Sequence, residues 1–300
     1  VHLLRRLGLI GREITAKLRL IRVHILGSAA GGGLPQWNCT CANCAAARMR
    51  KIEPRTQSSI AVRTASEDFQ SWWLINASPD LAAQIERTPA LHPRGAPRTT
   101  PIAGVLLTNA DIDHALGLLL LRQQDKPLVV YANDETRTAL AWLNAALARF
   151  CGIRWQKISA NFQPLNGAVG FRAIQLPHSV AFQFRNDASG ATALFAPSVG
   201  EWTEQLRDAV QASDVVFFDG TFWSDGELAK VRPGARSARE MNHLPISDGS
   251  LDFLRQSRAR RKIYTHINNT NPILMPGSRE RAQVEQAGIE IAYDGLEIIL

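Results

Sequence analysis

The sequence predicts one large α/β domain layered helix–sheet–sheet–helix, and three observations predict it. Short runs of β-branched and aromatic residues recur between helical patterns along both halves of the chain. No Pro-, Gly- or Ser-rich linker separates the halves, so one shared core is expected. Four of the apolar runs end in clusters of His, Asp and Asn, as strands do where loops converge at one end of a sheet.

The β-branched and aromatic runs place strands at 22–27, 58–64, 72–76, 102–107, 128–132, 170–176, 180–185, 191–196, 214–219 and 262–265. Helical periodicity places helices at 80–87, 112–122, 134–150, 201–212, 247–256 and 278–287. Asp134 and Ser278 have the chemistry of N-caps, and Gly288 that of a C-terminal stop. The Pro- and Arg-rich stretch 88–101 reads as a surface loop, and no internal repeat is visible.

Composition narrows the class. In 300 residues, 45% are hydrophobic and 20% charged, which excludes wholesale disorder. No window approaches the ~20 apolar residues of a membrane span, so no integral membrane segment is expected. The net charge of +7 raises nucleic acid, anionic membrane or an acidic ligand as partners. More than half of that excess lies in residues 1–20, where Arg5, Arg6, Arg12, Lys17 and Arg19 face Glu13 alone. This stretch reads as a basic N-terminal extension, poorly ordered, ahead of a single domain at 21–300. A basic surface anchor is the alternative, whereas Arg12 and Lys17 interrupt any secretory apolar segment. The patch 255–262 fits a solvated helix end, so nucleic acid is not the expected partner.

Three of the four cysteines stand in Cys39-Thr40-Cys41-Ala42-Asn43-Cys44. This spacing cannot build a disulfide framework and suits metal binding in a reducing, cytoplasmic compartment. Cys39, Cys41 and Cys44 can wrap one tetrahedral structural Zn2+, with Cys151, a distant His or a water as fourth ligand. Three buried, reduced thiols are the alternative. The glycines at 31–33 lack the Lys-Ser/Thr of a phosphate loop, so nucleotide binding is disfavoured. They let the backbone turn near the polar clusters and leave Gln36, Trp37 and Asn38 to line a substrate wall.

The polar clusters are Thr108-Asn109-Ala110-Asp111-Ile112-Asp113-His114, then Pro177-His178-Ser179, Asp219-Gly220-Thr221 and Thr265-His266-Ile267-Asn268-Asn269. The first resembles the His-x-His-x-Asp-His loop of the metallo-β-lactamase superfamily, and the later ones its remaining ligand motifs in order. Three segments resemble the protein B family of pyrroloquinoline quinone (PQQ) biosynthesis. They are 26–39 with its glycines and first cysteine, Met241-Asn242-His243-Leu244-Pro245, and Thr265–Pro272. The resemblance runs from about residue 21 to the C-terminus and implies a metallo-β-lactamase-like αβ/βα sandwich.

It also implies chemistry, with departures. Two superfamily histidines are replaced by Asn109 and Asp111, so the first metal position loses its ligands, while Asp113, His114, Asp219 and His266 keep the second. One metal site is therefore expected. Two-metal hydrolysis loses its clamp, and the remaining set approaches that of non-haem Fe(II) oxygenases. Family resemblance points to iron- and O2-dependent hydroxylation of the tyrosine ring of a small peptide-derived Glu–Tyr precursor. His178, Asp111 and His243 would move protons or orient the phenol, and Asn109 and Asn268 would contact substrate. Zn could occupy the iron site on isolation, and other PQQ biosynthesis proteins are possible partners. Two alternatives stay open: a non-catalytic carrier of PQQ or its precursor towards the periplasm, and a superfamily hydrolase. Taken singly, Asp113 could equally be a helix N-cap and His243 a turn residue.

Overall fold

The computed structural model describes residues 20–64 and 71–300, so all but the last residue of the 1–20 basic extension lies outside the described residues. Two seven-stranded sheets face each other. One has the order β14-β1-β2-β3-β4-β5-β6 and the other β13-β12-β11-β10-β9-β8-β7. The first holds β1 (Ile21–Gly27), β2 (Ser59–Thr64), β3 (Trp72–Ile75), β4 (Ile102–Leu106), β5 (Leu128–Ala132), β6 (Ile153–Lys157) and β14 (Glu297–Ile299). The second holds β7 (Gln163–Asn166), β8 (Val169–Gln175), β9 (Val180–Asn186), β10 (Thr192–Ala196), β11 (Val215–Asp219), β12 (Arg261–Thr265) and β13 (Glu290–Ile291).

Alternation along the strands builds the layers. Val215 and Phe217 of β11 point between the sheets, where they join Phe171, Phe182, Phe195 and, from the first sheet, Ile25 and Ile60. Val216 and Phe218 point the other way, onto a core with Leu206, Leu254 and Val284 from helices Glu204–Gln211, Leu251–Gln256 and Arg279–Gln286. The outer face of the first sheet is covered by Leu81, Leu118, Leu143 and their neighbours. With both faces of each sheet covered, the strands read as near-continuous apolar runs. The class is the expected αβ/βα sandwich.

Several elements differ from expectation. The stretch 42–48 is helical, and β6, β7, β13 and β14 are additional short strands. Expected helix 112–122 is α-helical only at Ile112–Ala115 and then tightens into a 3-10 segment, Leu116–Leu121. There the Gly117 N–H leaves the helix to bond the carbonyl of Ala77 at 2.8 Å. Expected helix 134–150 is two helices, Asp134–Ala139 and Ala141–Leu147, meeting at Leu140. Its N-cap is Asn133, whose side chain accepts from Thr136 N–H, and not Asp134. Ser278 caps its helix as expected, accepting from Arg281 N–H. The 247–256 helix opens with a π turn, Ile246–Ser250.

Candidate metal centre

The C-terminal ends of β4, β11 and β12 deliver the polar clusters to one edge of the sandwich. Asp113 and His114 ride on the short helix after β4, Asp219 ends β11, and His266 follows β12. His266 adopts φ 56°, a left-handed conformation that a bulky residue takes only when surroundings enforce it. Hydrogen bonds from Ile267 N–H to Ser28 O and from Asn268 N–H to Thr221 O enforce it here.

Two triads of ligand-type atoms share His266: Asp113–His114–His266 and Asp219–His243–His266. In the first, Asp113 Oδ2 lies 3.6 Å from His114 Nε2 and 3.3 Å from His266 Nε2. Each imidazole is oriented from behind. His114 Nδ1 stands 2.6 Å from Asn109 Oδ1 and 3.1 Å from Thr108 Oγ1. The Thr108 hydroxyl donates to Asn76 Oδ1, so its oxygen is free to accept. The proton therefore sits on His114 Nδ1, and Nε2 carries a lone pair. That Nε2 is buried without a hydrogen-bond partner. His266 Nδ1 likewise faces Thr221 Oγ1 at 2.8 Å, and Thr221 gives its own proton to Asp219 Oδ1 at 2.6 Å. Two imidazole lone pairs and a carboxylate oxygen thus converge, an arrangement a cation fits and a proton-poor pocket does not.

Asp219 has a different part. Its oxygens accept four hydrogen bonds, from Val199 N–H, Thr221 N–H, the Thr221 hydroxyl and His243 Nδ1. It could serve a metal only by releasing one of them. Charges tune the cluster accordingly. Burial opposes the Asp113 carboxylate, but positive charge on His114 and a hydrogen bond from His266, when those rings carry a second proton, outweigh it and hold the group well below the usual range. Burial holds the His114 pKa down, against the pull of Asp113 and Asp111, and so disfavours the charged ring. Burial also opposes charge on His243, yet contact with Asp219 and the nearby Asp113 and Asp111 raise its pKa.

A 590 Å³ depression opens above the cluster, lined by Asp111, Asp113, His243, His266 and Asn268. Ala30, Gly31, Thr221, Phe222, Arg236, Met241 and Asn242 complete its wall; sequence reasoning assigned none of them a site role, and the glycine stretch and the Met241–Pro245 motif pointed near. His178 is exposed and lies in an adjoining 270 Å³ depression with Asn109, Asp111 and Asn242, outside both triads. Asn109 turns its oxygen to His114 and its amide to Asp111 Oδ2 at 2.6 Å. Gln36, Trp37 and Asn38 are not among the residues lining either depression. They belong to the cysteine loop, where Arg48 binds the carbonyls of Gln36 and Cys39 and Trp37 is 86% exposed.

Behind Asn268 of this wall lies a buried ionisable group. Glu227 accepts from Trp223 N–H and from the Thr270 hydroxyl, both at 2.6 Å, and Thr270 in turn accepts from Asn268. Burial pushes its carboxyl up to about 7.

In the cysteine loop, the sulfurs of Cys39, Cys41 and Cys44 converge. Asn269 Nδ2 faces all three, at 3.2, 3.6 and 3.2 Å. Cys151 packs on the outer face of the other sheet and is not a fourth ligand. Burial pushes the Cys41 thiol up to about 11, whereas hydrogen bonds from Cys41, Cys44 and Asn269 outweigh burial at Cys39 and lower its pKa. Three sulfurs within reach of one another, one of them favouring the thiolate, fit a tetrahedral soft-metal site.

Fold and clustered ligands together define a metallo-β-lactamase superfamily protein, and the Beta-lactamase superfamily domain matches residues 71–267. Within it, the chain belongs to the family of coenzyme PQQ synthesis protein B. Such a protein from Cupriavidus necator is 39% identical over 306 residues, covering 93% of this chain and 99% of its own. The Rhizobium meliloti relative is 40% identical, covering 93% and 98%. The crystal structure of Zn(2+)-bound PqqB from Methylobacterium extorquens superposes with a TM-score of 0.83 at 36% identity, covering 92% of this chain and 99% of that one. A diphosphatase of the PhnP family, at 18% identity and TM-score 0.70, shares the fold, with 94% and 97% covered.

Proposed function

We propose that the chain acts in PQQ synthesis as a mononuclear non-haem iron enzyme that hydroxylates the tyrosine ring of a peptide-derived Glu–Tyr precursor. Near full-length identity to proteins named for PQQ synthesis supports the pathway. The observation that carries the chemistry is the Asp113–His114–His266 set, two imidazoles and one carboxylate, open towards the depression. That donor set is the one non-haem Fe(II) oxygenases use. Bound Fe(II) would supply the one-electron chemistry that lets O2 react with a phenol ring. The net change replaces a ring C–H by C–OH; the second oxygen leaves as water, using two electrons and two protons from an external reductant.

The chain's own residues do the rest. His114 and His266 are pre-oriented by Asn109, Thr108 and Thr221, so no reorganisation is needed on binding. His243, Asp111 and Asn268 line the space a phenol would enter and can orient its hydroxyl. His178, beside Asp111, can exchange protons with solvent. We place the protein in the cytoplasm, in keeping with four free cysteines. Among the described residues, no helix is long and apolar enough to cross a membrane.

The test is anaerobic loading with Fe(II), addition of the Glu–Tyr precursor and a reductant, then admission of isotopically labelled O2. Mass spectrometry should find label in the ring. No incorporation, with tight retention of the precursor or of PQQ, would overturn hydroxylation in favour of a carrier. His266→Ala should remove the active-site metal and leave metal at the cysteine loop; loss of both would show that the two sites are not independent.

A further inference from the structure

A second cavity lies elsewhere. It measures 710 Å³ and shares no lining residue with the depression over the metal cluster. The glycine-rich loop runs between the two. On one side, a Cβ on Gly31 would meet the Asp113 carboxylate at 3.4 Å. On the other, Ser28 Oγ accepts from Arg55 Nη1 at 3.1 Å.

Four cations line this cavity, Lys51, Arg55, Arg87 and Arg281, against the carboxylates of Glu53 and Asp294, with Arg281 Nε also paired to Glu285 Oε1 at 2.8 Å outside the lining. Asp294 is already committed. Its Oδ1 accepts from Ser28 N–H and hydroxyl, and its Oδ2 from Thr56 N–H and hydroxyl. Arg87 approaches the same carboxylate only at 3.6 Å. Arg55 is fixed by paired backbone bonds with Leu34 and by Nη1 contacts to Ser28 Oγ and the Ala292 carbonyl, all neutral acceptors. Burial pulls its pKa down to about 10; Asp294 opposes that shift and Arg281 adds to it. A partly buried guanidinium facing other cations is short of counter-charge.

We propose that this cavity binds a small organic anion with two or more acidic groups, carboxylate or phosphate. The acidic groups would sit on Arg55, Arg87, Arg281 and Lys51, and the carbon skeleton on Leu26, Ile52 and Leu274. This rests on the charge arrangement alone and is independent of the chemistry at the metal cluster.

Calorimetric titration of the full, metal-loaded chain with tricarballylate, and separately with inorganic phosphate, tests it at fixed ionic strength. At least one probe should saturate with a dissociation constant below about 1 mM, and the tighter one identifies the acidic group. Arg281→Gln and Arg87→Gln, each with an unchanged circular-dichroism spectrum, should weaken that binding roughly tenfold. His266→Ala should leave it unchanged. Failure of both probes to saturate below about 10 mM, full binding in both arginine variants, or loss of binding in His266→Ala would each overturn the proposal.

Discussion

Replacing Glu227 by Gln should remove a pH-dependent weakness from the loops behind the metal depression. The side chain is 5% exposed, and burial lifts its carboxyl from 4.5 to about 7. Below pH 4.5 the folded and unfolded chains both hold this proton, and the group adds no pH dependence. As pH rises from there, the unfolded chain gives the proton up while the folded one keeps it. Stability then falls by ~1.4 kcal/mol per pH unit, until the folded group also ionises near pH 7. Across that window the loss comes to about 3 kcal/mol. Glutamine cannot ionise, yet its oxygen can accept from Trp223 N–H and its amide can donate to the Thr270 oxygen. Urea unfolding of parent and variant from about pH 4.5 to about pH 7.5 provides the assay, because subtraction cancels every group the two proteins share. The parent should lose about 3 kcal/mol relative to Glu227→Gln over this range. A difference that stays flat with pH would refute the reasoning, since it would mean that Glu227 titrates alike in both states. The contact matters beyond stability: Glu227, Thr270 and Asn268 tie the loop after β11 to the loop after β12.

Asn109→Leu removes the 2.6 Å acceptor of His114 Nδ1 and should weaken metal binding at the Asp113–His114–His266 set roughly tenfold, read by competition with a chromophoric chelator. Unchanged affinity would show that Thr108 alone holds the ring. Cys44→Ser should cost one equivalent of bound zinc and lower the urea midpoint, with metal analysis and unfolding as the two readouts. Gly117→Ala would put a Cβ 2.2 Å from the Ser78 carbonyl oxygen and 2.7 Å from that of Ala77. It should destabilise by about 2 kcal/mol, and a stability equal to the parent's in the same assay would count against the close packing behind His114.

The long central strands were legible because their apolar runs are buried on both faces, as Val215–Asp219 is throughout. The edge strands were not. Glu290–Ile291 and Glu297–Ile299 are too short for a pattern, and pairing with a neighbour defines them more than their own residues do. The break at Leu140 was hidden for the opposite reason: Thr136, Leu140, Leu143 and Leu147 are all buried and keep one helical stripe across it. The candidate ligands were visible as strand-end motifs, since three strand ends fix them. The pairing of His243 with Asp219 was not, because it depends on how the chain between 220 and 245 returns, and periodicity carries no signal for that.

Asn109 shows how one replacement can subtract and add at once. An imidazole there would offer a metal a lone pair; an amide is a poor ligand but a good hydrogen-bond acceptor. Turned onto His114 Nδ1, its oxygen fixes the tautomer and leaves Nε2 as the one free donor of a buried ring. The amide's other end holds Asp111 at 2.6 Å, so the second replaced position is also drawn away from the triad. Asn109 thus keeps the His114 lone pair directed into the Asp113–His114–His266 set. The strained backbone of His266 belongs to the same logic: the left-handed conformation brings its Nε2 to 3.3 Å from Asp113 Oδ2, beside His114, a convergence that a bound cation makes favourable.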